Sequence, residues 1–337
     1  MRRCISSKEK IVNKKIVSFG EIMLRLTPPA KQLIEQANSF DACFGGCESN
    51  VLVCLSSLGD KTEFLTALPP NSLGETAAKY LRYHNVGTNH IIISGDRLGT
   101  YYLEEGVAER PSNVIYDRKS SSASFLDENA FDFEEVFKGC SLFHISGISF
   151  AISESSRRLS FQLIHEAKKR NIPVSFDFNH RKKLWTNEFA ATIYKEIVPY
   201  VDIVFAAERD VEEFLGMSIY DFLFKYPCKT IFIREREAIT PTTNTIYAKA
   251  YHKKDGKIIK TKIFKETFTV YQRVGSGDAF AGGILHVINQ DPDNVEKALQ
   301  YGMSCLVLKH SLNGDALSLS KDKIKEFINK KSNDINR

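Results

Sequence analysis

Short apolar runs alternate with amphipathic segments along most of the chain, and this alternation limits its possible folds more than any other feature. The apolar runs predict strands, and the segments between them have the spacing of helices. The predicted strands are residues 16–19, 62–68, 141–145, 173–178, 202–206 and 229–233. The predicted helices are a segment between Gly46 and Gly59, then residues 73–84, 153–170, 187–198 and 208–215. Such alternation predicts a mostly parallel sheet with helices on both faces.

Two stretches, at about residues 24–44 and 91–119, interrupt this alternation. The second is typical of strands separated by turns, at residues 99–103, 104–112 and 113–118. Strands without a helix between them cannot join a parallel sheet through short links. We therefore predict a small antiparallel sheet, positioned as a lid at one end of the main sheet. Apolar lid positions such as Ile92, Val114 and Ile115 would need cover, which predicts a homodimer or higher homo-oligomer formed through the lid.

The length and charge fit a folded globular protein that binds small molecules. The chain has 337 residues, of which 43% are apolar and 26% charged, and a formal charge of +5. Much of the basic excess lies near the two ends, and no Lys/Arg stripe runs through the body, so we expect no nucleic-acid partner. We predict one large domain at residues 14–330, with tails at residues 1–13 and 331–337.

Cysteine usage and hydropathy predict a reduced, cytoplasmic protein. The seven cysteines are odd in number and irregular in spacing, so a disulfide framework is not expected. Cys43 and Cys47 have no second pair of ligands that would complete a zinc site. The basic start of the chain lacks the apolar run of a signal peptide, and no apolar window is long enough to cross a membrane.

The sequence Gly275-Ser276-Gly277-Asp278, followed by an apolar helical segment, is the strongest chemical motif. Two glycines let the backbone turn tightly before a helix, and the free N–H groups there bind anions. A carboxylate beside such a site suits phosphoryl transfer to an alcohol, because it can accept the hydroxyl proton. The same residues also fit an ordinary turn with an Asp N-cap, and from the residues alone both interpretations stay open. A Walker A loop is excluded, since no Gly-Lys-Ser/Thr ending occurs.

Motifs at both ends of the chain resemble those of ribokinase-like (PfkB-type) carbohydrate kinases, over nearly the whole length. The late motif ending in Asp278 matches the family's anion hole and catalytic base. The early Gly45-Gly46-Cys47-Glu48-Ser49-Asn50 matches its sugar-site signature. Within the family, the chain is most similar to 2-keto-3-deoxygluconate kinases. That similarity is carried by residues 101–106, 110–118, 177–181 and 184–185, and by Lys309-His310 with Gly314-Asp315.

The resemblance implies an ATP- and Mg²⁺-dependent kinase with a ribokinase-like three-layer α/β sandwich and a small antiparallel β lid. It implies that Gly46, Glu48 and Asn50 line the sugar pocket, that Tyr102 and Tyr116 close over the sugar, and that Arg118 and Arg181 bind its oxygens and carboxylate. It implies ATP contacts from Asn179, Arg181, Gly275, Ser276 and Gly277, and catalysis by Asp278 with the loop residues 275–277. An arginine fork is well suited to a carboxylate, although surface ion pairs and packed tyrosines are the alternatives for these residue types. No metal ligand is assigned.

Two departures from the family pattern concern cations. Gln272 stands where relatives usually have an Asp associated with a monovalent cation, which puts a potassium requirement in doubt. Ala207-Glu208-Arg209-Asp210 replaces the usual Asn-x-x-Glu, which organises Mg²⁺ and phosphate, and Asp210 could keep part of that role.

The sequence is compatible with three functions. The leading hypothesis is a 2-keto-3-deoxygluconate kinase. The second keeps the reaction and changes the substrate to another ketose or sugar acid, such as fructose or 5-keto-2-deoxygluconate. The third is a catalytically weak sugar-binding regulator, which the intact Asp278 argues against.

Overall fold

A computed structural model defines the fold and describes residues 14–240 and 242–329. The predicted tails, residues 1–13 and 331–337, lie outside the described residues, and the predicted domain limits remain a prediction. The strands are β1 Lys15–Phe19, β2 Met23–Thr27, β3 Asp41–Gly45, β4 Lys61–Leu68, β5 Val86–Gly87, β6 Ile91–Ile93, β7 Thr100–Glu104, β8 Asn113–Asp117, β9 Cys140–Ser146, β10 Val174–Asp177, β11 Ile203–Ala206, β12 Thr230–Thr240, β13 Thr243–Lys254, β14 Lys257–Lys260 and β15 Phe264–Thr269.

The helices occupy the segments between these strands and the chain beyond them. They are α1 Cys47–Ser57, α2 Ser72–Tyr83, α3 Phe133–Phe137, α4 Gly147–Ala151, α5 Glu154–Lys169, α6 Asn187–Ile197, α7 Glu208–Leu215, α8 Ile219–Lys225, α9 Ser276–Ile288, α10 Val295–His310 and α11 Lys321–Asn329. Several begin at a side-chain cap, such as Asn71 before α2, Ser153 before α5 and Thr186 before α6. Each cap satisfies amides that the first helical turn leaves free.

The main sheet has 11 strands in the order β14-β13-β12-β11-β10-β9-β1-β4-β5, with β15 on β13 and β6 on β4. Its centre, from β4 to β12, is parallel. Strand residues alternate between two apolar cores: Val17 and Phe19 face one, and Ile16 faces the other. Helices α3 to α8 cover the first core, and α1, α2, α9 and α10 cover the second. The predicted three-layer ribokinase-like architecture is confirmed.

A second sheet of four strands, in the order β3-β2-β7-β8, forms the predicted lid. The outer pairs are antiparallel, while the central pair β2 and β7 is parallel. Two details of the prediction were wrong. Residues Ile91–Ile93 join the main sheet beside β4, and residues 105–112 form turns with a single bridge between Val107 and Arg110.

The edge of the main sheet from β12 to β15 was not predicted. Strand β12 pairs antiparallel with β13 over most of their length, and β13 also pairs with β14 and β15. The predicted strand at residues 229–233 covers only the parallel, buried start of β12. The remainder is exposed and highly charged, so it lacks the apolar signal on which strand prediction depends.

Candidate active site

Helix α9 begins at a glycine loop that leaves backbone amides free. Gly275 has a φ of 79°, in the left-handed region, and α9 has no side-chain cap. A methyl group built on Gly275 would overlap the carbonyl oxygen of Asp315, so only glycine fits there. Among the described residues, no protein acceptor receives a hydrogen bond from the amides of Gly277 or Asp278. The free amides at the start of this helix are therefore positioned to bind an anion, and the anion site itself stays a prediction.

Asp278 lies in the first turn of α9, beside the glycine loop. Its Oδ2 accepts a hydrogen bond from Asn50 Nδ2 at 2.7 Å, and its Oδ1 accepts one from Cys47 Sγ at 3.4 Å. Burial raises the pKa of Asp278 to about 6, against the opposing effects of these two hydrogen bonds and the charge of Arg181. A carboxylate with a pKa near 6 is ionised at neutral pH and still basic enough to accept a proton.

Helix α1 carries the early motif and brings it to Asp278. A methyl group built on Gly46 would overlap the carbonyl oxygen of Glu21, so the start of α1 packs directly on the chain after β1. Glu48 is buried, and its Oε1 accepts hydrogen bonds from Ser146 Oγ at 2.6 Å and Ser149 Oγ at 2.9 Å. Glu48 therefore ties α1 to the end of β9, and its predicted contact with the sugar stays a prediction.

The two lid tyrosines lie on opposite faces of the lid sheet. Tyr116 is directly opposite Tyr101 on the paired strand, and both pack in a cluster that includes Val274 of the glycine loop. Tyr102 is the next residue along β7, so it faces the other side, where it packs against Phe40 with 5.9 Å between ring centroids. The expectation that both tyrosines face one sugar is therefore corrected: Tyr116 faces the anion loop in this structure, and Tyr102 does not.

The two arginines predicted to bind the sugar acid have different surroundings. Arg118 is buried and forms an ion pair with Glu21, which is also buried. In this pair, Arg118 Nε and Glu21 Oε1 have no hydrogen-bond partner among the described residues. Arg181 is exposed and forms no ion pair in the described ranges, while its charge acts on Asp278 and Asp177. The structure thus places Arg181, but not Arg118, as a free cation at the site.

Three charged residues at this edge were missed by the sequence analysis: Asp177, Arg234 and Arg273. Burial raises the pKa of Asp177 to about 7, with Arg234 opposing the shift. Asp177 ends β10, and Arg234 follows the last buried residue of β12. The sequence contained a signal for both residues: each is a charged residue at the carboxyl end of a predicted parallel strand, and ligands bind at that edge of such a sheet.

Asn179, one of the predicted ATP contacts, has a left-handed backbone with a φ of 38°. Its side-chain Nδ2 lies 2.7 Å from Cys47 Sγ, and its backbone N–H donates to Asp177 Oδ1 at 3.0 Å. Asn179 thereby links the turn after β10 to the start of α1. This turn carries Arg181 to the mouth of the site.

A buried polar network joins the lid to the glycine loop, and Gln272 is part of this network. Asp315 accepts hydrogen bonds from Arg25 of β2 and Tyr101 of β7, both in the lid sheet. Gln272 Oε1 accepts from Arg25 at 3.3 Å, and its Nε2 donates to Glu105 Oε1 at 2.7 Å. Gln272 is therefore a neutral bridge between a lid arginine and a lid glutamate.

In the segment Ala207-Glu208-Arg209-Asp210, which replaces the family's Asn-x-x-Glu, the carboxylates have structural roles. Asp210 Oδ2 accepts a hydrogen bond from the Ala207 backbone N–H at 2.9 Å, so it caps α7. Glu208 is paired with Lys249 at 2.6 Å. The described residues contain no group of three or more His, Cys, Asp or Glu side chains that could hold a metal ion. Mg²⁺ commonly keeps several waters and binds through one or two carboxylates plus phosphates, so it does not require such a group.

These features define a class of protein. A free-amide helix start, a carboxylate of raised pKa beside it and unpaired arginines at the carboxyl edge of a parallel sheet are the parts of a kinase that phosphorylates an alcohol.

Comparison with known proteins identifies the family. Residues 13–318 match the model of the pfkB family carbohydrate kinases, and the chain belongs to this family. It is 34% identical to the 2-dehydro-3-deoxygalactonokinase of Haloferax volcanii, over 93% of this chain and 96% of that protein. It is 27% identical to the 5-dehydro-2-deoxygluconokinase of Listeria innocua, over 88% of this chain and 89% of that protein.

Solved structures agree in fold. The 2-dehydro-3-deoxygluconokinase of Thermotoga maritima matches with a TM-score of 0.87 and 34% identity, over 94% of this chain and all of that one. The E. coli protein described as ribokinase II, solved with ATP and Mg²⁺, matches in fold with a TM-score of 0.77 and 19% identity, over 94% of this chain and 99% of that one. Within the described ranges, no helix is long and apolar enough to cross a membrane.

Proposed function

We propose that this protein transfers the γ-phosphoryl group of ATP to a hydroxyl of 2-keto-3-deoxygluconate or a close sugar-acid relative. The observation that carries the proposal is the position of Asp278 beside the free amides of the glycine loop, with Arg181 unpaired nearby. One sugar hydroxyl would lie at Asp278 while the substrate carboxylate binds an arginine. ATP and Mg²⁺ are supported by the family and by the fold neighbour solved with both.

In the proposed reaction, Asp278 accepts the proton of the sugar hydroxyl as its oxygen attacks the γ-phosphorus. The bond between that phosphorus and the β–γ bridging oxygen breaks, and ADP leaves with the electron pair. The amides of Gly277 and Asp278 would stabilise the charge on the phosphoryl oxygens. Mg²⁺, when bound with ATP, would neutralise phosphate charge.

Arg181 is the main candidate for recognition of the substrate carboxylate. It has no protein counter-ion within the described ranges, whereas Arg118 is already paired with Glu21. Arg118 would contribute through its unpartnered Nε, and Glu21 through Oε1, which could accept a hydroxyl hydrogen bond. An acceptor and a donor side by side suit a polyhydroxy substrate.

The exact substrate is best tested with a panel of sugars in single-turnover assays with ATP and Mg²⁺. The panel contains 2-keto-3-deoxygluconate, 2-keto-3-deoxygalactonate, 5-keto-2-deoxygluconate and fructose. The first two differ only in the configuration of one carbon, and the relatives at 34% identity are named for them. Fructose as the best substrate would refute the sugar-acid assignment, and the absence of transfer to any member would favour a sugar-binding regulator.

A further inference from the structure

Four arginines gather around the glycine loop at the carboxyl edge of the sheet. They are Arg181, Arg234, Arg236 and Arg273. None of the four forms an ion pair within 4.0 Å in the part of the chain that the structure describes. Burial lowers the pKa of Arg234 and of Arg273, and the neighbouring arginines lower both further. Mutually repelling guanidinium groups at one edge indicate a site that is completed by a multiply charged anion.

Arg234 is the arginine that touches the glycine loop. A methyl group built on Gly277 would lie 3.0 Å from Arg234 Nη2, so the guanidinium packs against the backbone of the anion site. The start of α9 carries the positive end of the helix dipole, where a cation is unfavourable. Among the described residues, Arg234 has no hydrogen-bonded partner that would offset this cost. No hydrogen bond or ion pair among the described residues accounts for its position, which suits contact with a bound anion.

Two carboxylates stabilise the charged form of Arg234 without a direct contact. They are Asp177 and Asp278, whose charges raise its pKa against the effect of burial. Arg234 forms no ion pair within 4.0 Å among the described residues, so neither carboxylate contacts it directly. A phosphoryl group bound by the loop amides would contact the guanidinium and balance its charge.

We propose that Arg234 contacts the γ-phosphoryl group during its transfer, with Asp177 as the counter-ion of its guanidinium in the free enzyme. This inference rests on the proposed kinase function and adds a catalytic residue to it. The γ-phosphorus loses its bond to the ADP oxygen and gains one to the sugar oxygen, while the proton goes to Asp278. Arg234 neither gains nor loses an atom, and its fork of donors stabilises the equatorial phosphoryl oxygens throughout.

Arg234 would also compensate for the loss of the family's Asn-x-x-Glu motif at residues 207–210. Asp210 is used to cap α7, and residue 207 is alanine, so neither side chain is free to organise the phosphates. A guanidinium beside the glycine loop supplies the positive charge directly. Arginine fingers in other phosphoryl-transfer enzymes increase kcat by about 10³–10⁵.

The test compares Arg234→Gln with Arg209→Gln, which removes the same charge from a side chain that is 85% exposed. Binding of ATP and of ADP, each with Mg²⁺, is measured by calorimetry without any sugar. We expect Arg234→Gln to weaken ATP binding about tenfold, as for one lost charge-assisted hydrogen bond, and to leave ADP binding within about twofold. Arg209→Gln should leave both unchanged.

The second measurement is the rate of sugar phosphorylation. With the best sugar of the panel, Arg234→Gln should lower kcat at least about a hundredfold with little change in the KM of the sugar. Added guanidinium should partly restore the activity of Arg234→Ala and not that of Asp278→Asn. Equal weakening of ATP and ADP with a lowered Tm, or no rescue, would make Arg234 a structural residue and overturn the inference. The calorimetric result needs no sugar, so a wrong substrate assignment would not obscure it.

Discussion

At the scale of single residues, the site depends on how buried charges are balanced around Asp278. Asn50 and Cys47 donate to its carboxylate, and Arg181 acts on it through charge, while burial opposes ionisation. The result is a carboxylate that is ionised at neutral pH and is held by a few identifiable partners. Each partner can be removed separately.

Replacing Asp278 with asparagine should abolish the base and preserve the fold. We expect Asp278→Asn to lower kcat by two or more orders of magnitude, within the range of about 10²–10⁴ for a general base. Thermal unfolding should give a Tm equal to or above that of the wild type, because a partly buried charge is removed. ATP binding, measured by calorimetry, should stay within a few-fold. Near-normal turnover would exclude Asp278 as the base.

The pH dependence of kcat/KM should show the ionisation of Asp278. A base acts when deprotonated, so activity should rise with pH through about 6 and level off above it. Cys47→Ala removes a hydrogen bond that lowers the pKa of Asp278, so the acidic limb should move to higher pH. A profile that does not move in Cys47→Ala would show that another group controls the limb.

Substrate charge should be recognised by Arg181. We expect Arg181→Ala to lower kcat/KM for the sugar acid about ten- to a hundredfold, corresponding to about 1.5–3 kcal/mol for a charge-assisted hydrogen bond. Fructose, which has no carboxylate, should lose much less. Lys182→Ala removes an exposed neighbouring charge and serves as the control. Equal losses for both sugars would refute this role. Arg118→Ala is less informative, because it leaves the buried Glu21 unpaired.

At the scale of elements, the lid is attached to the glycine loop through Asp315. This residue contacts two lid strands through its carboxylate and Gly275 through its carbonyl oxygen. Movement of the lid and the shape of the anion site are therefore mechanically connected. Tyr101→Phe should cost about 1.5–3 kcal/mol of unfolding free energy, measured in urea, because it removes a hydrogen bond to a buried carboxylate. Tyr102→Phe, on the opposite face of the same strand, should cost less, and equal costs would contradict the network.

The sequence predicted the elements of the parallel core well and the lid less well. Buried strands such as 141–145 and helices such as 208–215 were predicted within one or two residues, because core burial imposes a strong apolar pattern. The exposed part of β12 and the short edge strands β14 and β15 show no such pattern, and β13 buries small and polar residues rather than a continuous apolar run. For the site, the glycine loop and Asp278 followed from local motifs. Asp177 and Arg234 were not assigned, although each lies at the carboxyl end of a predicted strand, because only the folded sheet brings them near the same loop.

At the scale of the whole molecule, the outer face of the lid is the surface on which the predicted homo-oligomer would form. Of the three apolar lid positions named from the sequence, Ile92 packs on the main core and Val114 on the inner lid cluster. Ile115 is 48% exposed on the edge strand β8, and Phe40 is 37% exposed on the same side as Tyr102. An uncovered edge with apolar side chains favours pairing with a second copy.

The predicted lid dimer is tested by sedimentation velocity at micromolar concentration. The wild type should sediment as a dimer, and Ile115→Arg should shift it to a monomer, because a charge at the centre of an apolar contact cannot be desolvated cheaply. Ile263→Arg, at a position 55% exposed in the segment between β14 and β15, should remain dimeric. A monomeric wild type would exclude the lid dimer.

The central position of β1 has a consequence for synthesis of the chain. This first strand lies between β4 and β9, so its second neighbour is not made until about residue 146. The contact of Arg25 and Tyr101 with Asp315 requires a further 169 residues, the difference between 315 and 146. On the ribosome, Arg25 and Tyr101 are therefore made long before their partner Asp315, and the contact between the lid and the glycine loop forms only after residue 315 is made. Partial translation products would contain most of the sheet and no working site.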